Sequence, residues 1–350
     1  MGKDRQNRES NGNDSPPQKP LSELRKRYQH DEFCKDNLRD LGKARKFLKW
    51  KLKPEITELL DLDRLELSSE SFLEEDLKKL YADVLYRIPV KDSDESIVVF
   101  VLIELKTESD KWTVFQQAKY IIRIWDQEYR KAKKAKRLDQ FLLPMVIPII
   151  FHHGDQHFTA STELIDQVRT IQGLEPYTLN VKSLLCDVMT LHEEEFPADL
   201  ELCVLFMMLQ AVFSKDVAER LMRIYKKLSP NLREPGYQRI WQDCLYYALS
   251  SAKNFTGQDC KAIITEIRNT GDTIMSTTEF ISAADQLIEE GIAIGEVRGK
   301  VLAILEVRFN KVPKEIVNTI RSMTDPVALE SLVEHAKSCV SLDEFSEALE

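Results

Sequence analysis

One stretch of the chain places charged residues among strand-like apolar runs in a way that few folds accommodate. It reads LYADVLYRIPVKDSDESIVVFVLIELKTESD and covers residues 80–110. Two β-strands are predicted here, Asp83 to Val90 and Ile97 to Lys106, joined by the polar turn Lys91 to Ser96. The second strand is apolar on both faces up to Leu105, which is typical of a central strand covered on both sides.

Three charged residues interrupt these strands: Asp83, Glu104 and Lys106. A charge within a sheet is costly unless it is paired or binds a metal. Symmetric pairing about the centre of the turn aligns Asp83 with Glu104, with β-carbons about 5 Å apart, and Lys106 shares their face. Two adjacent carboxylates favour a divalent cation such as Mg²⁺, and Lys106 would then activate water or stabilise charge on a phosphate. The alternative is a strand-end ion pair, with Asp83 capping the sheet edge.

The elements around this hairpin predict an α/β core followed by a helical region. A helix is expected from Trp112 to Lys136, and the apolar strand MVIPIIF follows at Met145 to Phe151. The expected divisions are a disordered tail (1–20), an α/β domain (21–160), a helical region (161–280) and a C-terminal helical segment for oligomerisation (281–350).

Charge is distributed unevenly along an acidic chain. The net charge is −9, yet the segments Lys43–Lys53 and Arg130–Arg137 hold six cations each. A uniformly basic nucleic-acid surface is therefore excluded, whereas two local clusters beside the hairpin favour a surface that faces phosphates. The alternative is that both clusters are solvated helix faces. The residues expected to contact DNA are Lys131, Lys133, Lys134 and Lys136.

Cysteine spacing and hydropathy limit the other classes of protein. Six cysteines are scattered without a CxxC pair, which argues against a zinc site and indicates buried thiols. No apolar run reaches the roughly 18 residues of a membrane span, and the N-terminal 20 residues lack a hydrophobic segment. We therefore expect a cytoplasmic protein that does not associate with membranes.

The motifs taken together resemble a known family. Asp83…Glu104-x-Lys106, on a hairpin followed by a helix, looks like the PD-(D/E)XK nuclease core. More narrowly, the chain is similar to the Rpn family of recombination-promoting nucleases, also described as YhgA-like transposases. The segments that carry the resemblance are HDEFCKDNL (30–38), SFLEEDLKKLYADVLYRI (71–88), LIELK (102–106), KYIIRIWDQEY (119–129), VIPIIFHHGD (146–155) and the C-terminal EEGIAIGEVRGK (289–300).

The resemblance implies a Mg²⁺-dependent DNA endonuclease of the bacterial cytoplasm, linked to recombination or mobile elements, in which Mn²⁺ can substitute. Asp83 and Glu104 would bind the metal, and Lys106 would be the catalytic lysine. Family members often carry His-Gln where this chain has Leu105-Lys106, so the lysine restores the wider superfamily pattern and favours activity. A second departure is Phe151 in place of an expected Tyr, which leaves the role of the following histidines open.

Two further residues are candidates for the site. Gln117 is in phase with the apolar sector of the predicted helix, where it would contact the metal-bound water or a carboxylate. Its alternatives are a satisfied core amide, or the neighbouring Gln116 in the same role. Glu75 would supply a third carboxylate, against the alternative of a solvated acid.

The histidines and the overall function leave alternatives as well. For His152, His153 and His157, a turn-forming or phosphate-side role is favoured over zinc ligation. A second class of function is a catalytically silent DNA-binding or protein-interaction module on the same fold.

Overall fold

The computed structural model describes most of the chain. The described residues are 30–68, 84–93, 98–252, 254–269, 297–309, 312–313, 316–317, 319–320, 323 and 326–349. The tail predicted over 1–20, the residues Glu75 and Asp83, and the start of the C-terminal segment from 281 to 296 lie outside them. The division of the chain into four regions therefore stays a prediction.

The core of the protein is a mixed five-stranded sheet with the order β1-β2-β3-β4-β5. The strands β1, β2 and β3 run antiparallel, whereas β4 and β5 run parallel to β3. A sheet flanked by helices and followed by a helical region confirms the predicted fold class. The strand bounds are β1 Glu66–Leu67, β2 Val84–Pro89, β3 Val98–Lys106, β4 Met145–His152 and β5 Leu184–Asp187.

The hairpin register is the one that the turn predicts. Val84 pairs with Ile103, and Pro89 pairs with Val98. This alignment places the centre of the connection between Ser93 and Asp94, as symmetric pairing requires. The register matters because a slip by one residue would move every side chain of β2 to the other face of the sheet.

Helices cover the sheet and build the second half of the chain. Their bounds are α1 His30–Arg39, α2 Leu41–Lys51, α3 Pro54–Leu59, α4 Thr113–Lys134, α5 Leu200–Ala211, α6 Val217–Leu228, α7 Pro235–Ser251, α8 Gly257–Asn269, α9 (297–309), α10 Pro326–Ser338 and α11 Leu342–Glu347. Asp40 and Asp199 accept hydrogen bonds from backbone N–H groups in the first turns of α2 and α5. Within the described residues, no helix has both the length and the apolar character needed to cross a membrane.

The two faces of the sheet pack against different helices. On one face, Val101, Ile103 and Phe151 belong to a hydrophobic cluster that runs from Phe33 in α1 to Ile267 in α8. On the other face, α4 covers smaller clusters that include Phe100 and Ile150. Because β3 is covered on both sides, its continuous apolar run matches the expectation for a central strand. A separate cluster joins α9, α10 and α11.

The chain departs from its predicted organisation just after residue 160. The sequence favours helices from there onward, but β5 and several short 3₁₀ turns occupy the stretch before α5. β5 adds a parallel strand at the edge of the sheet beside β4. Four residues are too short for a periodic signal, so only pairing with β4 defines this strand.

Candidate active site

A charged pair marks the end of the central strand. Glu104 and Lys106 lie on the face of β3 that α4 covers, and the Lys106 Nζ is 3.2 Å from the Glu104 Oε1. The Glu104 side chain is 6% exposed and that of Lys106 is 19% exposed. The Glu104 carboxylate is therefore buried, whereas the Lys106 ammonium is partly open to solvent.

Helix α4 contributes the next contact. The Lys106 Nζ donates a hydrogen bond to the Gln116 Oε1 over 3.0 Å. Gln117 instead donates to the carbonyl oxygen of Ile149 and accepts from the Ser183 hydroxyl, in a fully buried position. Of the two amides considered from the sequence, Gln116 therefore contacts the lysine, whereas Gln117 holds α4 to β4 and to the segment before β5.

The metal-binding prediction rests on residues that are only partly described. Asp83 and Glu75 lie outside the described residues, and their roles stay predictions. Glu104 supplies a buried carboxylate at a strand end, and carboxylate oxygen is the donor that Mg²⁺ prefers, so the described donor fits a hard divalent cation. The described residues contain no group of three His, Cys, Asp or Glu side chains arranged to hold a metal ion.

A pair formed by a histidine and an aspartate lies at the same edge of the sheet. Lys106 is the cross-strand neighbour of His152 in β4, and His152 is the neighbour of Asp187 in β5. The His152 Nδ1 is 3.1 Å from the Asp187 Oδ1, and both side chains are almost fully buried. Asp187 also accepts hydrogen bonds from the backbone N–H groups of Phe158 and Met189.

The hydrogen bonds at Asp187 determine its charge state. Burial raises the pKa of this carboxyl, but the hydrogen bonds from His152, Phe158 and Met189 outweigh burial and hold the pKa below its ordinary value of 3.8. The neighbouring Cys186 has no such donors, so burial raises the pKa of its thiol to about 12. Asp187 is therefore a carboxylate at neutral pH, fixed by its surroundings.

The segment after β4 approaches β3 closely. The His153 N–H donates to the carbonyl oxygen of Lys106 over 2.9 Å. A β-carbon added at Gly154 would lie 1.8 Å from the carbonyl oxygen of Thr107, so a glycine is required at this position. His152 and His153 are buried, while His157 is exposed. These contacts hold the segment after β4 against β3, and the turn-forming or phosphate-side role of the histidines stays a prediction.

The basic cluster at the end of α4 is exposed but distant from the pair. Lys131, Lys133, Lys134 and Lys136 all face solvent, and Lys131 pairs with Glu128 within the helix. Lys136 follows α4 at φ 56°. At 1.5 Å per residue, Lys133 lies about 25 Å along the helix from Gln116. The cluster therefore forms a surface separate from the charged pair of its own chain.

The other basic segment, Lys43–Lys53, is used for packing. Lys46 contacts Asp199 and Glu201 at the start of α5, and Lys43 also pairs with Glu201. Burial lowers the pKa of Lys46, but the hydrogen bonds to Asp199 and Glu201 outweigh burial and raise it. Lys51 donates to the carbonyl oxygen of Leu185 in β5. This cluster fastens α2 to α5 and to the sheet.

Two parts of this arrangement were not predicted. The first is the contact between His152 and Asp187, because nothing in the sequence shows that β5 pairs with β4. The second is the set of contacts of Lys43 and Lys46 with Asp199 and Glu201, because these acidic residues are distant in the chain. A signal for the first exists in retrospect, since His152 and Asp187 both end short apolar runs.

The fold and the strand-end pair together define an α/β protein of nuclease-like architecture. A profile of the family described as "Putative transposase, YhgA-like" matches residues 28–235, which include the whole sheet and α1 to α6. The chain belongs to this family.

Several curated proteins are similar to part of this chain. The chain is 32% identical to recombination-promoting nuclease RpnD of Escherichia coli O157:H7 over 127 residues, and 34% identical to RpnA of Escherichia coli K12 over 125 residues. Each match covers 36% of this chain, and it covers 46% and 40% of these relatives. The inactive recombination-promoting nuclease-like protein RpnE is 24% identical over 56% of this chain and 62% of its own. No solved structure matches the chain.

Proposed function

We propose that this protein is a Mg²⁺-dependent DNA endonuclease that acts in recombination or on mobile elements in the bacterial cytoplasm. The observation that carries the proposal is the Glu104–Lys106 pair at the end of the central strand, with Gln116 holding the lysine. The names of the relatives RpnD and RpnA support a nuclease, and the topology agrees with a PD-(D/E)XK core.

Glu104 and Asp83 would hold the metal ion. Val84 is paired with Ile103, and in the sequence Asp83 precedes Val84 and Glu104 follows Ile103, so the pairing expected from the sequence would bring the two carboxylates together. Glu75 is the candidate for a third carboxylate. Bound Mg²⁺, or Mn²⁺ in its place, supplies a positive charge that lowers the pKa of water and offsets charge on the phosphate.

Lys106 would act on the phosphate or on the attacking water. Its ammonium is oriented from two sides, by the Glu104 carboxylate and by the Gln116 amide oxygen. A cation fixed in this way needs little reorganisation when negative charge develops on a phosphate oxygen. Partial exposure leaves the ammonium accessible to a substrate, while Glu104 stays buried.

DNA would contact four exposed cations at the C-terminal end of α4 and just after it: Lys131, Lys133, Lys134 and Lys136. Phosphate contacts from lysines supply affinity without sequence preference and make binding sensitive to salt. Lys43 and Lys46 of the other basic segment are not proposed as DNA contacts, since they are already engaged with acidic side chains.

The proposal is tested by cleavage of supercoiled plasmid with Mg²⁺ or EDTA. Wild type is compared with Glu104→Gln and with the control Glu108→Gln, which makes the same change at an exposed glutamate near the strand end. We expect Mg²⁺-dependent cleavage by wild type and by the control, and none by Glu104→Gln. Cleavage that survives Glu104→Gln would remove this carboxylate from the mechanism.

A catalytically silent DNA-binding module is the second candidate. It is favoured by the relative named inactive, whose match extends over more of this chain than those of RpnD and RpnA. Salt-sensitive DNA binding by wild type, without cleavage in either Mg²⁺ or Mn²⁺, would establish this function and overturn the endonuclease.

A further inference from the structure

Helix α4 carries an apolar stripe on the face turned away from the sheet. Trp112, at its N-cap, and Phe115, Ile122 and Tyr129 are each between 42% and 49% exposed. Other residues of the helix, among them Val114, Ile121 and Ile124, are buried against the sheet. Trp112 and Phe115 also pack against each other, but a large part of each stripe side chain stays exposed.

The stripe residues lie along one side of α4. Phe115, Ile122 and Tyr129 recur every seven residues, and Trp112 lies three residues before the first of them. Their exposed parts amount to roughly 400 Å² of apolar surface, the size of the largest patch on a typical monomer and often a functional one. Two such faces with their lysine stems would bury about 1,000 Å², near the lower limit for a specific interface.

Charges within the stripe select both the partner and its direction. Lys119 and Asp126 lie between the apolar positions, and Lys133 lies four residues beyond Tyr129. A parallel copy of α4 would place each of them beside the same charge. An antiparallel copy centred on Ile122 instead places Lys119 opposite Asp126 in both directions, because these residues lie at similar distances on either side of the centre. The stripe is thus complementary to itself in one orientation.

The ends of the stripe match in the same orientation. The antiparallel alignment brings Phe115 to Tyr129 of the second copy and Trp112 to its Lys133. A lysine over the Trp112 ring is already present within the chain, where the Lys111 Nζ lies 5.1 Å from the ring centroid. Asp126 is paired with Arg130 across 2.9 Å, but both side chains are largely exposed, so this pair is worth little and can exchange partners.

We propose that the protein forms a homodimer through the outer face of α4, with the two helices antiparallel about Ile122. The interface is isologous, as in most symmetric dimers. Because the area of this interface is small, we expect a dissociation constant of roughly micromolar size.

The dimer has a consequence that rests on the proposed nuclease function. The basic end of one α4, at Lys133, lies beside the beginning of the other, where Gln116 contacts Lys106. The cations that lie about 25 Å along α4 from the Gln116 of their own chain would then hold DNA beside the Lys106 of the second copy. Each candidate site is completed by its neighbour.

The dimer is tested first by sedimentation velocity over a range of protein concentrations. We expect wild type to reach twice the 40.6 kDa mass of the chain. Ile122→Asp places two carboxylates at the centre of the interface and should raise the dissociation constant at least about 100-fold. The control Ile171→Asp makes the same change at an exposed isoleucine outside α4 and should leave the dimer unchanged. Wild type that is monomeric at about 100 μM, or dimers that survive Ile122→Asp, would overturn the proposal.

Charge reversal tests the orientation without removing an apolar side chain. Lys119→Glu and Asp126→Lys should each weaken the dimer, because each creates like charges across the interface. The double variant should restore it. Two weakened single variants and a double variant that stays weak would exclude the antiparallel arrangement.

Cysteine crosslinking gives an independent measure. All six native cysteines are buried, so oxidation reports the introduced thiol. Ile122→Cys should form a disulfide-linked dimer with copper phenanthroline as oxidant, whereas Phe115→Cys should crosslink only when mixed with Tyr129→Cys. Efficient crosslinking of Phe115→Cys with itself would show a parallel pair and overturn the proposal. These measurements decide the dimer even if wild type does not cleave DNA, so its failure is separable from that of the nuclease.

Discussion

Two pairs of titratable residues end neighbouring strands of the same sheet, and their surroundings differ. Glu104 and Lys106 belong to one strand, and the lysine is 19% exposed. His152 and Asp187 belong to β4 and β5, and their side chains are 1% and 3% exposed. Three protein donors satisfy Asp187, whereas the ammonium of Lys106 keeps access to solvent. The first pair is partly open to solvent, whereas the second is buried and joins β4 to β5.

The largest expected effect comes from removing the cation of the Glu104–Lys106 pair. Lys106→Met keeps most of the stem but removes the charge, and should lower plasmid cleavage by about 100- to 1,000-fold, because the cation would act only on the reacting phosphate or water. Thermal unfolding should change by only a few degrees, since the lysine is partly solvated. Lys91→Met, at an exposed turn, is the control. A large loss of stability with unchanged cleavage would make this pair structural.

The next largest effect is expected from replacing Asp187 in the buried His152–Asp187 pair. Asp187→Asn should destabilise the protein by about 2–4 kcal/mol, because the buried network loses its negative charge and one of its two acceptor oxygens, and an NH2 group then faces a donor. Urea unfolding at pH 7 measures this effect, with Asp155→Asn at an exposed position as the control. Cleavage per folded molecule should change much less than in Lys106→Met. A neutral effect on unfolding would contradict the role assigned to this carboxylate.

The stabilisation that the buried His152–Asp187 pair provides also depends on pH. The folded-state pKa of Asp187 is depressed below its ordinary value of 3.8, so its stabilisation is present above that pH and is lost as the pH falls further. The difference in unfolding free energy between wild type and Asp187→Asn should therefore be constant from pH 7 to about pH 5. It should narrow below about pH 3.8. A difference that widens in acid would show the opposite shift.

The two basic segments also differ in their surroundings, because the lysines at the end of α4 face solvent whereas Lys43 and Lys46 contact acidic side chains. Replacing Lys131, Lys133, Lys134 and Lys136 by Gln should weaken DNA binding by roughly 10- to 100-fold at low salt and reduce the salt slope by about 3. Replacing Lys43 and Lys46 by Gln should leave binding unchanged and lower stability by about 1 kcal/mol, because their partners are Asp199 and Glu201. Fluorescence anisotropy at several salt concentrations measures the first effect. Equal effects of both variants on binding would remove the distinction.

The smallest effect distinguishes two adjacent amides. Gln116→Leu should lower cleavage about 10-fold by releasing Lys106, with little change in unfolding. Gln117→Leu should instead cost about 1–3 kcal/mol of stability, because the Ser183 hydroxyl and the Ile149 carbonyl group lose their buried partner. Measuring both quantities for both variants provides the matched control. A cleavage defect specific to Gln117→Leu would restore the role that the sequence suggested for it.

Much of the sheet is predictable from local pattern. The strands β2, β3 and β4 and the helix α4 have bounds within a few residues of those expected, because their apolar periodicity is strong and the polar turn centres the hairpin. The alternation of side chains within β3 brings Glu104 and Lys106 to one face. β5 was not predicted, because four residues carry no periodicity and their pairing partner is 35 residues away in the chain.

The site shows the same division between sequence and structure. The sequence by itself determined that a carboxylate and a lysine end a buried central strand, because strand periodicity requires two residues of a Glu-x-Lys motif to share a face. Only the tertiary structure decided which amide contacts that lysine, which histidine is paired with Asp187 and which basic segment stays exposed. These outcomes depend on contacts between residues distant in the chain, and a cation has the same sequence signal whether an acidic helix end faces it or water does.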